Sequence, residues 1–523
     1  MIHLKIDNTE ISVPEGTSVL EAAKSIGIEI PTMCYRKGFD NHPSCMVCLV
    51  KDKKTGNLLS SCALKVTEGM DMLSEDDDVK EARREALELL MSDHVGDCEA
   101  PCSLSCPAGM NIPLMNRLIA ANKFDEALKV VKEEIALPYV LGYICPAPCE
   151  KACRRKQVDE AVSVCLLKRF SAAKNDPEKS LESVTPIKNQ VVKSVAIIGT
   201  GPAGLASAYY LLKYGYQCVI FDKNESAGGN LRYSIPDDEL PKQALDNEID
   251  IIRNMGAEFR FNSVITRENF DSEVRQKFNA VIIATGDITV AGHLTPLFEN
   301  TKTGLTADEG TLATSIPGVF ACGSVIRAQK MAVRAVAQGK LAAMAADRYI
   351  RGLEPLKPMK MFNSRFDKLI PEEYAEYLKE SVTDKRISPV QGRLEGFSAD
   401  EAVKEAARCL HCDCRKLDDC KLRIYSDLYK VDRKKYLFGN RKTISKHFQH
   451  DTVVYEPEKC IKCGLCIDIT LQNNELTGLA YVGRGFDVRI DIPFGQSIRE
   501  ALVYSAEKCI EACPTGALSR KEK

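Results

Sequence analysis

The chain has 523 residues, its 71 Lys and Arg are balanced by 73 Asp and Glu, and 22 of its residues are cysteine. A formal net charge of −2 gives no field that would attract nucleic acid or an anionic membrane, so neither is an expected partner. No run approaches about 18 apolar residues, so we expect no membrane span. Disulfide scaffolds are short secreted domains, and these cysteines are therefore expected to be reduced thiols in the cytoplasm.

Most of the cysteines fall into tight groups, which is the pattern of thiolate metal ligands. The length predicts about three to four domains, over which these groups are distributed. Because exposed iron–sulfur clusters are damaged by oxygen, we expect an anaerobic or low-oxygen host. The groups are Cys34, Cys45, Cys48 and Cys62; Cys98, Cys102 and Cys106; Cys145, Cys149 and Cys153; Cys409, Cys412, Cys414 and Cys420; and Cys460, Cys463 and Cys466 with Cys509 and Cys513.

Residues 1–75 are predicted to form a β-grasp domain. Ile2–Ile6 alternates as a strand does, a second short strand follows a polar turn, and Val19–Ile26 has helical periodicity. The four thiols of this segment suit one 2Fe–2S cluster, with zinc as the alternative. His42–Val50 and Ser61–Ala63 resemble the N-terminal domain of the large subunit of respiratory complex I and of iron-only hydrogenases.

Residues 76–175 are predicted to form a helical domain that contains two groups of three cysteines. Asp77–Ser92, Asn111–Ala121 and Phe124–Ile135 have the apolar spacing of helices. The segments that begin at Cys106 and Ile144 resemble the two-cluster domain of the glutamate synthase small subunit and of dihydropyrimidine dehydrogenase. That resemblance implies two 4Fe–4S clusters, of which one takes Cys98, Cys102 and Cys153 and the other takes Cys106, Cys145 and Cys149.

Each of these two clusters then needs a fourth ligand, because the usual donors of the family are absent or replaced. His94 stands near the missing upstream cysteine, and its spacing from Cys98 is similar to the His-x3-Cys ligation of the complex I large subunit; a solvent-facing loop histidine is the alternative. Lys168, which cannot ligate, aligns with the Gln or Glu that the family uses in the second cluster. Cys165 lies one turn earlier on the same helix face and is the predicted ligand, with a buried structural thiol as the alternative.

Residues 191–355 are predicted to form a Rossmann-like domain that follows a polar linker at 175–193. The buried strand Val195–Ile198 runs into the GxGxxG segment Gly199–Gly204 and a helix to Lys213, and the next strand ends at Asp222. In this strand–turn–helix setting the glycines let the backbone approach a pyrophosphate, and Asp222 can accept ribose hydroxyls.

The dinucleotide is interpreted as FAD from a second resemblance. Gly228–Pro236, Ala284–Gly286 and Gly318–Gly323 resemble the FAD domain of the glutamate synthase small subunit. Ser324 replaces the usual Asp of such domains, and the helix that begins near Ala332 is expected to direct its N-terminus at the flavin. The resemblance implies these cofactor-binding residues: Gly199, Gly201, Pro202, Ala203, Gly204, Asp222, Gly229, Asn230, Arg232, Ala284, Thr285, Gly286, Gly323, Ser324 and Ala332.

The same family inserts a second Rossmann domain, for NADPH, between its last two FAD segments. Here only Asp287–Pro317 separates them, which is about the length of one βαβ unit. No second GxGxxG occurs in the sequence. We therefore expect a flavoprotein without its own NAD(P)H domain.

The C-terminal part carries two further thiol groups. Residues 356–450 are predicted to be a linker whose Cys409–Cys420 group binds a 4Fe–4S cluster, with zinc as the alternative. Residues 451–523 are predicted to be a bacterial ferredoxin-like domain, in which Cys460, Cys463 and Cys466 supply three ligands and Cys513 the fourth. Cys218 and Cys322 are expected to be ordinary core residues, and Cys509, four residues before Cys513, is expected to be a spare structural thiol or an alternative ligand.

The sequence thus predicts a multidomain α+β and α/β oxidoreductase subunit with FAD, one 2Fe–2S cluster and three to four 4Fe–4S clusters, and without a catalytic side-chain constellation. The favoured function is electron transfer in a cytoplasmic multisubunit complex, with electron bifurcation as one form of it. Expected partners are an NADH-dehydrogenase-like flavoprotein, ferredoxin, and a hydrogenase or formate dehydrogenase. The alternatives are a self-sufficient NAD(P)H oxidoreductase like the glutamate synthase small subunit, and a non-catalytic docking scaffold.

Overall fold

The computed structural model describes residues 1–39, 42–173, 193–287, 294–355, 361–365, 368–437 and 441–522. The chain divides into two units, each built from separate segments of the sequence. Unit 1 comprises Met1–Ala100, Lys360–Ser381 and Leu410–Lys523, and unit 2 comprises Pro101–Met359 and Val382–Cys409. Nearly all of the predicted linker at 175–193 lies outside the described residues.

Unit 1 begins with a five-stranded mixed sheet whose strands are Ile2–Ile6, Thr9–Val13, Leu49–Asp52, Leu58–Ser60 and Met70–Leu73, numbered β1 to β5. The strand order is β2–β1–β5–β3–β4, with β1 antiparallel to β2 and parallel to β5. The helix Val19–Ser25 begins where the Ser18 hydroxyl accepts a hydrogen bond from the Glu21 amide. This mixed sheet with its helix confirms the predicted β-grasp fold.

The remainder of unit 1 is mostly helical. The long helix Asp77–Asp93 begins at Asp76, whose carboxylate accepts a hydrogen bond from the Val79 amide. In the ferredoxin-like part, Val453–Tyr455 pairs antiparallel with Leu518–Arg520, and Ala480–Val482 pairs with Arg489–Asp491. The other helices of the unit are Pro371–Leu378, Lys421–Leu428, Leu465–Gln472, Ile498–Ala501 and Ala506–Ala512.

Unit 2 combines a helical region with a parallel sheet. The helical region consists of Pro101–Ser105, Ile112–Ala120, Phe124–Glu134, Pro138–Ile144, Pro148–Lys151, Val164–Ala173 and Ala399–Ala406. Two of these helices follow the predicted apolar spacing closely, because their buried faces form the core. Gly142 allows Pro138–Ile144 to pack closely on Val164–Ala173, since a side chain there would collide with Arg169.

The parallel sheet of unit 2 has the Rossmann-like topology. Its strands are Ser194–Ile198, Gln217–Phe221, Glu258–Arg260, Ala280–Ile283 and Val319–Ala321, numbered β6 to β10. They lie in the order β10–β9–β6–β7–β8, and each pairing is parallel. The helices of this region are Pro202–Lys213, Asn230–Tyr233, Lys242–Asn254 and Ala332–Ile350.

Strands β9 and β10 pair directly in the sheet. In the sequence, the segment between them is the position at which the resembled family inserts its second nucleotide domain. Residues 294–317, which the structure describes, contain one 3-10 turn at Thr295–Leu297 and isolated bridges, but no α-helix or strand. Residues 288–293 of the predicted interval lie outside the described part. Among the described residues, no helix is both long and apolar enough to cross a membrane.

Candidate functional site

A cavity of about 440 Å³ lies at the carboxyl ends of β6, β7 and β9, which is where parallel sheets bind ligands. Residues from widely separated segments meet there. Most of the predicted cofactor-binding residues line it: Gly199, Gly201, Pro202, Ala203, Asp222, Gly229, Asn230, Ala284, Thr285, Gly286, Gly323, Ser324 and Ala332.

The glycines of the first loop have different roles. Gly199 has a φ of +108°, which favours glycine, and a side chain there would collide with the Ala284 carbonyl. Gly204 packs against the Gly199 carbonyl, so a Cβ would collide there as well. A Cβ on Gly201 would meet nothing within 4 Å, and this residue precedes the helix Pro202–Lys213 without a side-chain cap. Uncapped helix N–H groups beside open space are what a pyrophosphate needs.

Asp222 directly follows β7, and both of its carboxylate oxygens accept hydrogen bonds. One accepts the Thr200 amide at 2.8 Å and the Thr200 hydroxyl, and the other accepts the backbone and side-chain N–H groups of Asn224, each at 2.9 Å. Asp222 therefore fixes the glycine loop as well as bordering the cavity. The Thr285 hydroxyl is buried in the lining and has no hydrogen-bond partner among the described residues, which suits a polar ligand.

The helix Ala332–Ile350 also begins at the cavity. No side chain caps it and its first turn has no acidic residue, so the positive end of its dipole is open to an anionic group. The Ser324 hydroxyl accepts a hydrogen bond from the Gln329 amide at 3.3 Å and thereby anchors the preceding loop. These features fit an FAD whose pyrophosphate and ring system lie near separate helix N-termini.

Two predicted cofactor-binding residues do not line the cavity. Gly204 is occupied in close packing, and Arg232 pairs with Asp246 and donates to the Ala227 carbonyl at 2.6 Å. Arg232 thus supports the loop before Gly229 instead of facing a ligand. Sequence reasoning missed Asn224 and the segment 263–265, which also line the cavity. Asn224 could have been found as a turn residue two positions after Asp222, whereas 263–265 carry no motif.

A second cavity in unit 2 is bordered by four cysteines from three segments: Cys106, Cys145, Cys149 and Cys165. Hydrogen bonds join the Cys165 thiol to those of Cys145 and Cys149. The remaining lining is apolar except for Lys168. Four thiols around a small apolar volume are the donor set of a 4Fe–4S cluster.

The ionisation of this cavity favours a bound cation. The hydrogen bond to Cys165 and burial raise the pKa of Cys145. The hydrogen bond with Cys145 lowers the pKa of Cys165, but the hydrogen bond with Cys149 and burial together raise it by more. The net effect is a pKa raised to about 12. Burial lowers the pKa of Lys168, and the neighbouring thiolates more than compensate. Four thiolates in this cavity would repel one another and lack solvation. The positive charge of a cluster core and of Lys168 would offset that unfavourable energy.

One helix borders both cavities of unit 2. Val333 lines the four-cysteine cavity of unit 2, which is the cavity bordered by Cys106, Cys145, Cys149 and Cys165. Ala332 and Ala335 line the nucleotide cavity. All three belong to the first turn of Ala332–Ile350. A cluster and a dinucleotide bound in these cavities would be neighbours, separated by one turn of helix.

In unit 1, the four cysteines of the β-grasp domain converge. The Sγ atoms of Cys34 and Cys45 are 3.4 Å apart, and Cys62 forms hydrogen bonds with Cys34 and Cys48. All four thiols are buried. The bonds from Cys45 and Cys62 hold the pKa of Cys34 well below its usual range, and the bond from Cys62 lowers the pKa of Cys48 to about 7. The set suits a 2Fe–2S cluster.

The ferredoxin-like part of unit 1 contains a second thiol cavity, lined by Cys460, Cys463, Cys466 and Cys513. Burial and the Cys513 thiolate raise the pKa of Cys460 to about 12. Cys509 lies in the adjoining core, and Cys218 and Cys322 are buried in the core of unit 2. A surface cavity is lined by both Cys45 and Cys460, so the two thiol sets of unit 1 are close neighbours.

The remaining predicted ligands are divided between the units. Cys98, Cys412, Cys414 and Cys420 belong to unit 1, whereas Cys102, Cys153 and Cys409 belong to unit 2. Burial and the Cys414 thiolate raise the pKa of Cys98 to about 11, and burial with the thiolates of Cys414 and Cys98 raises that of Cys420 to about 12. Cys98 is therefore beside Cys414 and Cys420, while its grouping with Cys102 and Cys153, which the family resemblance implied, stays a prediction.

His94 follows the long helix of unit 1 and has a buried Nδ1 with no hydrogen-bond partner among the described residues. Burial and the charges of Lys459 and Arg433 lower its pKa to about 4, so the imidazole is neutral. Among the described residues, no three His, Cys, Asp or Glu side chains close around one point as the ligands of a single metal ion do.

Three segments of the chain match known domain families. Residues 1–76 match the 2Fe-2S iron-sulfur cluster binding domain, residues 67–180 match the dihydropyrimidine dehydrogenase domain II with its 4Fe-4S cluster, and residues 197–261 match the NAD(P)-binding Rossmann-like domain. These matches confirm the predicted 2Fe–2S, 4Fe–4S and dinucleotide domains.

Curated relatives match about a third or more of the chain. It is 40% identical over 189 residues to the NADPH-Fe(3+) oxidoreductase subunit beta of Geobacter sulfurreducens, covering 36% of this chain and 28% of the relative. It is 32% identical over 242 residues to the NADP(+)-dependent formate dehydrogenase subunit beta of Moorella thermoacetica, covering 42% of this chain and 32% of the relative. It is 35% identical over 181 residues to the glutamate synthase [NADPH] small chain of Bacillus subtilis, covering 35% and 36%. The chain thus spans about a third of the length of these relatives.

Among solved structures, an NAD+-reducing NiFe hydrogenase is 32% identical over 18% of this chain and 39% of its own, with a TM-score of 0.17. A thioredoxin reductase of Lactococcus lactis is 12% identical over 31% of this chain and all of its own, with a TM-score of 0.22.

Proposed function

We propose that this chain is an electron-transferring flavin–iron–sulfur subunit of a larger redox complex. The observation that carries the proposal is the helix Ala332–Ile350, whose first turn borders both the four-cysteine cavity and the nucleotide cavity. A flavin and a cluster on the two sides of one helical turn are close enough to exchange electrons directly. No further substrate pocket is required for that task.

The cofactor proposed for the nucleotide cavity is FAD. When bound, FAD exchanges two electrons with a hydride donor and single electrons with clusters. The protein's part is to hold it: the N–H groups after Gly201 would bind the pyrophosphate, and the buried Thr285 hydroxyl offers a hydrogen bond. The N-terminus of Ala332–Ile350 would stabilise negative charge on a reduced ring.

Unit 1 is proposed to carry electrons through at least two clusters. The 2Fe–2S set of Cys34, Cys45, Cys48 and Cys62 would adjoin the 4Fe–4S set of Cys460, Cys463, Cys466 and Cys513. Cys45 and Cys460 line one surface cavity, which supports a short distance between these two sets. The surface around them is the proposed docking face for an electron-carrying partner protein.

The nicotinamide chemistry is assigned to a partner subunit. Only residues 284–318 lie between β9 and β10 in the sequence, and the described residues 294–317 contain no α-helix or strand, so the described part of the chain holds no inserted NAD(P)H domain. The proposed partners are an NADH-dehydrogenase-like flavoprotein, ferredoxin, and a hydrogenase or formate dehydrogenase in the cytoplasm. The formate dehydrogenase subunit of Moorella thermoacetica, to which this chain is similar, supports the last of these.

A second candidate function is direct oxidation of NAD(P)H in the single nucleotide cavity. It is favoured by the match of residues 197–261 to a domain described as NAD(P)-binding. The two candidates differ in the identity of the bound dinucleotide and in the speed with which NADH or NADPH reduces the isolated chain.

The test is anaerobic purification of the full chain, release and identification of its dinucleotide, and stopped-flow mixing with NADH and NADPH. We expect FAD, and no rapid bleaching of the flavin by either nucleotide in the absence of partners. Rapid bleaching, or release of a nicotinamide dinucleotide without flavin, would contradict the proposal and support the second candidate.

A Gly201→Ala variant sharpens the test of the cavity. The φ of Gly201 is −67° and its Cβ would enter open space, so the fold is expected to persist while the methyl group occupies pyrophosphate space. We expect at least a tenfold loss of FAD affinity, equivalent to about 1.4 kcal/mol, with unchanged iron content. Unchanged flavin content in this variant would place the dinucleotide elsewhere.

A further inference from the structure

A third thiol site in unit 1 is built from two distant parts of the sequence. The Cys98 carbonyl accepts a hydrogen bond from the Cys414 amide at 3.0 Å, which fixes the two residues side by side. The Cys420 thiol lies close enough to those of Cys98 and Cys414 for their negative charges to raise its pKa. All three residues are buried, with exposed fractions of 8%, 7% and 6%. Three buried thiols grouped in this way, none of them in a disulfide, can act together as thiolate ligands of a metal centre.

The surroundings of these thiols suit thiolates. The Ser364 amide donates to the Cys98 Sγ at 3.4 Å, and an N–H donor stabilises a thiolate. Gly516 lies against the Cys414 Sγ, where any side chain would collide with the sulfur. The buried ammonium of Lys459, which pairs with Glu456 at 2.6 Å, adds positive charge beside Cys98 and Cys414.

The site adjoins the ferredoxin-like cavity through the backbone that carries Cys513. The Lys421 amide donates to the Pro514 carbonyl at 2.9 Å, and the Lys416 ammonium donates to the Cys513 carbonyl at 2.6 Å. The segment from Cys414 to Lys421 is therefore bound to the segment that supplies the fourth ligand of the neighbouring set. A cluster here would extend the row of redox centres in unit 1.

Three thiols leave one corner of a 4Fe–4S cluster open, and His94 is the donor placed to close it. It lies four residues before Cys98, and the Val95 amide donates to the Glu458 carbonyl at 2.9 Å, which brings this segment to Lys459. The buried Nδ1 of His94 has no hydrogen-bond partner among the described residues. Imidazole is an established ligand of iron–sulfur clusters.

We propose that Cys98, Cys414 and Cys420, with His94 as the fourth ligand, hold a 4Fe–4S cluster in unit 1. The assignment separates Cys98 from Cys102 and Cys153 and does not depend on what fills the nucleotide cavity. It goes beyond the proposed function, which requires only the Cys460–Cys513 cluster and the 2Fe–2S cluster in this unit.

The test compares single cysteine variants of the full chain by metal analysis and by the electron paramagnetic resonance of the reduced protein. Cys98→Ala, Cys414→Ala and Cys420→Ala are each expected to lose the same signal, while Cys102→Ala and Cys153→Ala keep it. Loss of one common signal in Cys98→Ala and Cys102→Ala, with that signal retained in Cys414→Ala, would overturn the grouping. Stoichiometric zinc in the wild-type chain that disappears in Cys414→Ala would overturn the cluster.

The histidine is tested separately, with the exposed His3→Ala as the matched control. His94→Ala is expected to release iron or leave a three-iron cluster, whereas His94→Cys retains four irons at a lower potential because thiolate adds negative charge. Full iron content and unchanged potential in His94→Ala would overturn its assignment. In all of these variants the 2Fe–2S signal and the dinucleotide content should persist, so failure here is distinct from failure of the proposed function.

Discussion

Two cavities in this protein present four cysteines each, but they differ in origin and in charge. The cavity of Cys460, Cys463, Cys466 and Cys513 has three of its thiols in one short motif and is otherwise lined by uncharged, mainly apolar residues. The cavity of Cys106, Cys145, Cys149 and Cys165 draws its thiols from three segments and includes the buried ammonium of Lys168. The same donor set is thus placed in two electrostatic environments, which should give the clusters different reduction potentials.

The largest expected effect is loss of a cluster when a ligand is removed. Cys463→Ala and Cys165→Ala should each release about one cluster's iron or leave a three-iron form, because three thiols do not complete a 4Fe–4S core. Iron and sulfide analysis with electron paramagnetic resonance measures this. Cys509 is a core thiol beside the Cys460 cavity, and the Cys509→Ala variant should retain all iron. If Cys165→Ala behaves like that control, the fourth ligand of its cavity lies elsewhere.

Removing the buried cation should change the potential of only one cluster. Lys168→Met keeps the packing but deletes a positive charge that favours the reduced cluster, so the potential should fall. A charge near the cluster at an effective dielectric constant of about 20 contributes about 1–3 kcal/mol, or about 50–130 mV for a one-electron couple. Redox titration followed by electron paramagnetic resonance measures the shift. An unchanged midpoint, with full iron, would show that Lys168 does not tune the cluster.

Cluster assembly should depend on pH in both cavities, and the buried lysine should affect that dependence in only one of them. The pKa of Cys165 and that of Cys460 are both raised to about 12, so these thiols hold protons in the apoprotein and release them on binding iron. Reconstitution should therefore weaken as the pH falls. Because Lys168 favours the thiolates, Lys168→Met should need a higher pH to assemble its cluster, while the Cys460 cavity keeps its midpoint. Equal shifts in both cavities would refute this electrostatic explanation.

The smallest change in reduction potential is expected from removing a partly exposed charge near the Cys460 cavity. Lys462 forms an ion pair with Asp93 at 3.0 Å, and its side chain is 30% exposed. Lys462→Met should lower the potential of the Cys460 cluster by less than about 20 mV, and added salt should remove the difference. A shift as large as that of Lys168→Met would mean that burial does not explain the contrast between the cavities.

The sequence predicted what depends on local spacing. The β-grasp strands, the helices around 112–134 and the GxGxxG loop were placed within a few residues, because apolar periodicity and glycine turns are local signals. The four thiols of the predicted ferredoxin-like set line one cavity for the same reason, since three of them belong to one loop. Even Asp222 was placed at the cavity, although the bonds that bind it to Thr200 and Asn224 were not foreseen.

Only the tertiary structure decided which distant residues meet. Cys98 and Cys414 become neighbours through a backbone hydrogen bond that no spacing rule predicts, and Arg232 turns to Asp246 although it stands next to the cofactor loop. The charge of each cluster cavity was likewise undetermined, because it depends on whether a lysine is buried against thiols or left near solvent. Candidate ligands can be recognised from sequence motifs, whereas the grouping of their thiols and the charge around them depend on how the segments pack.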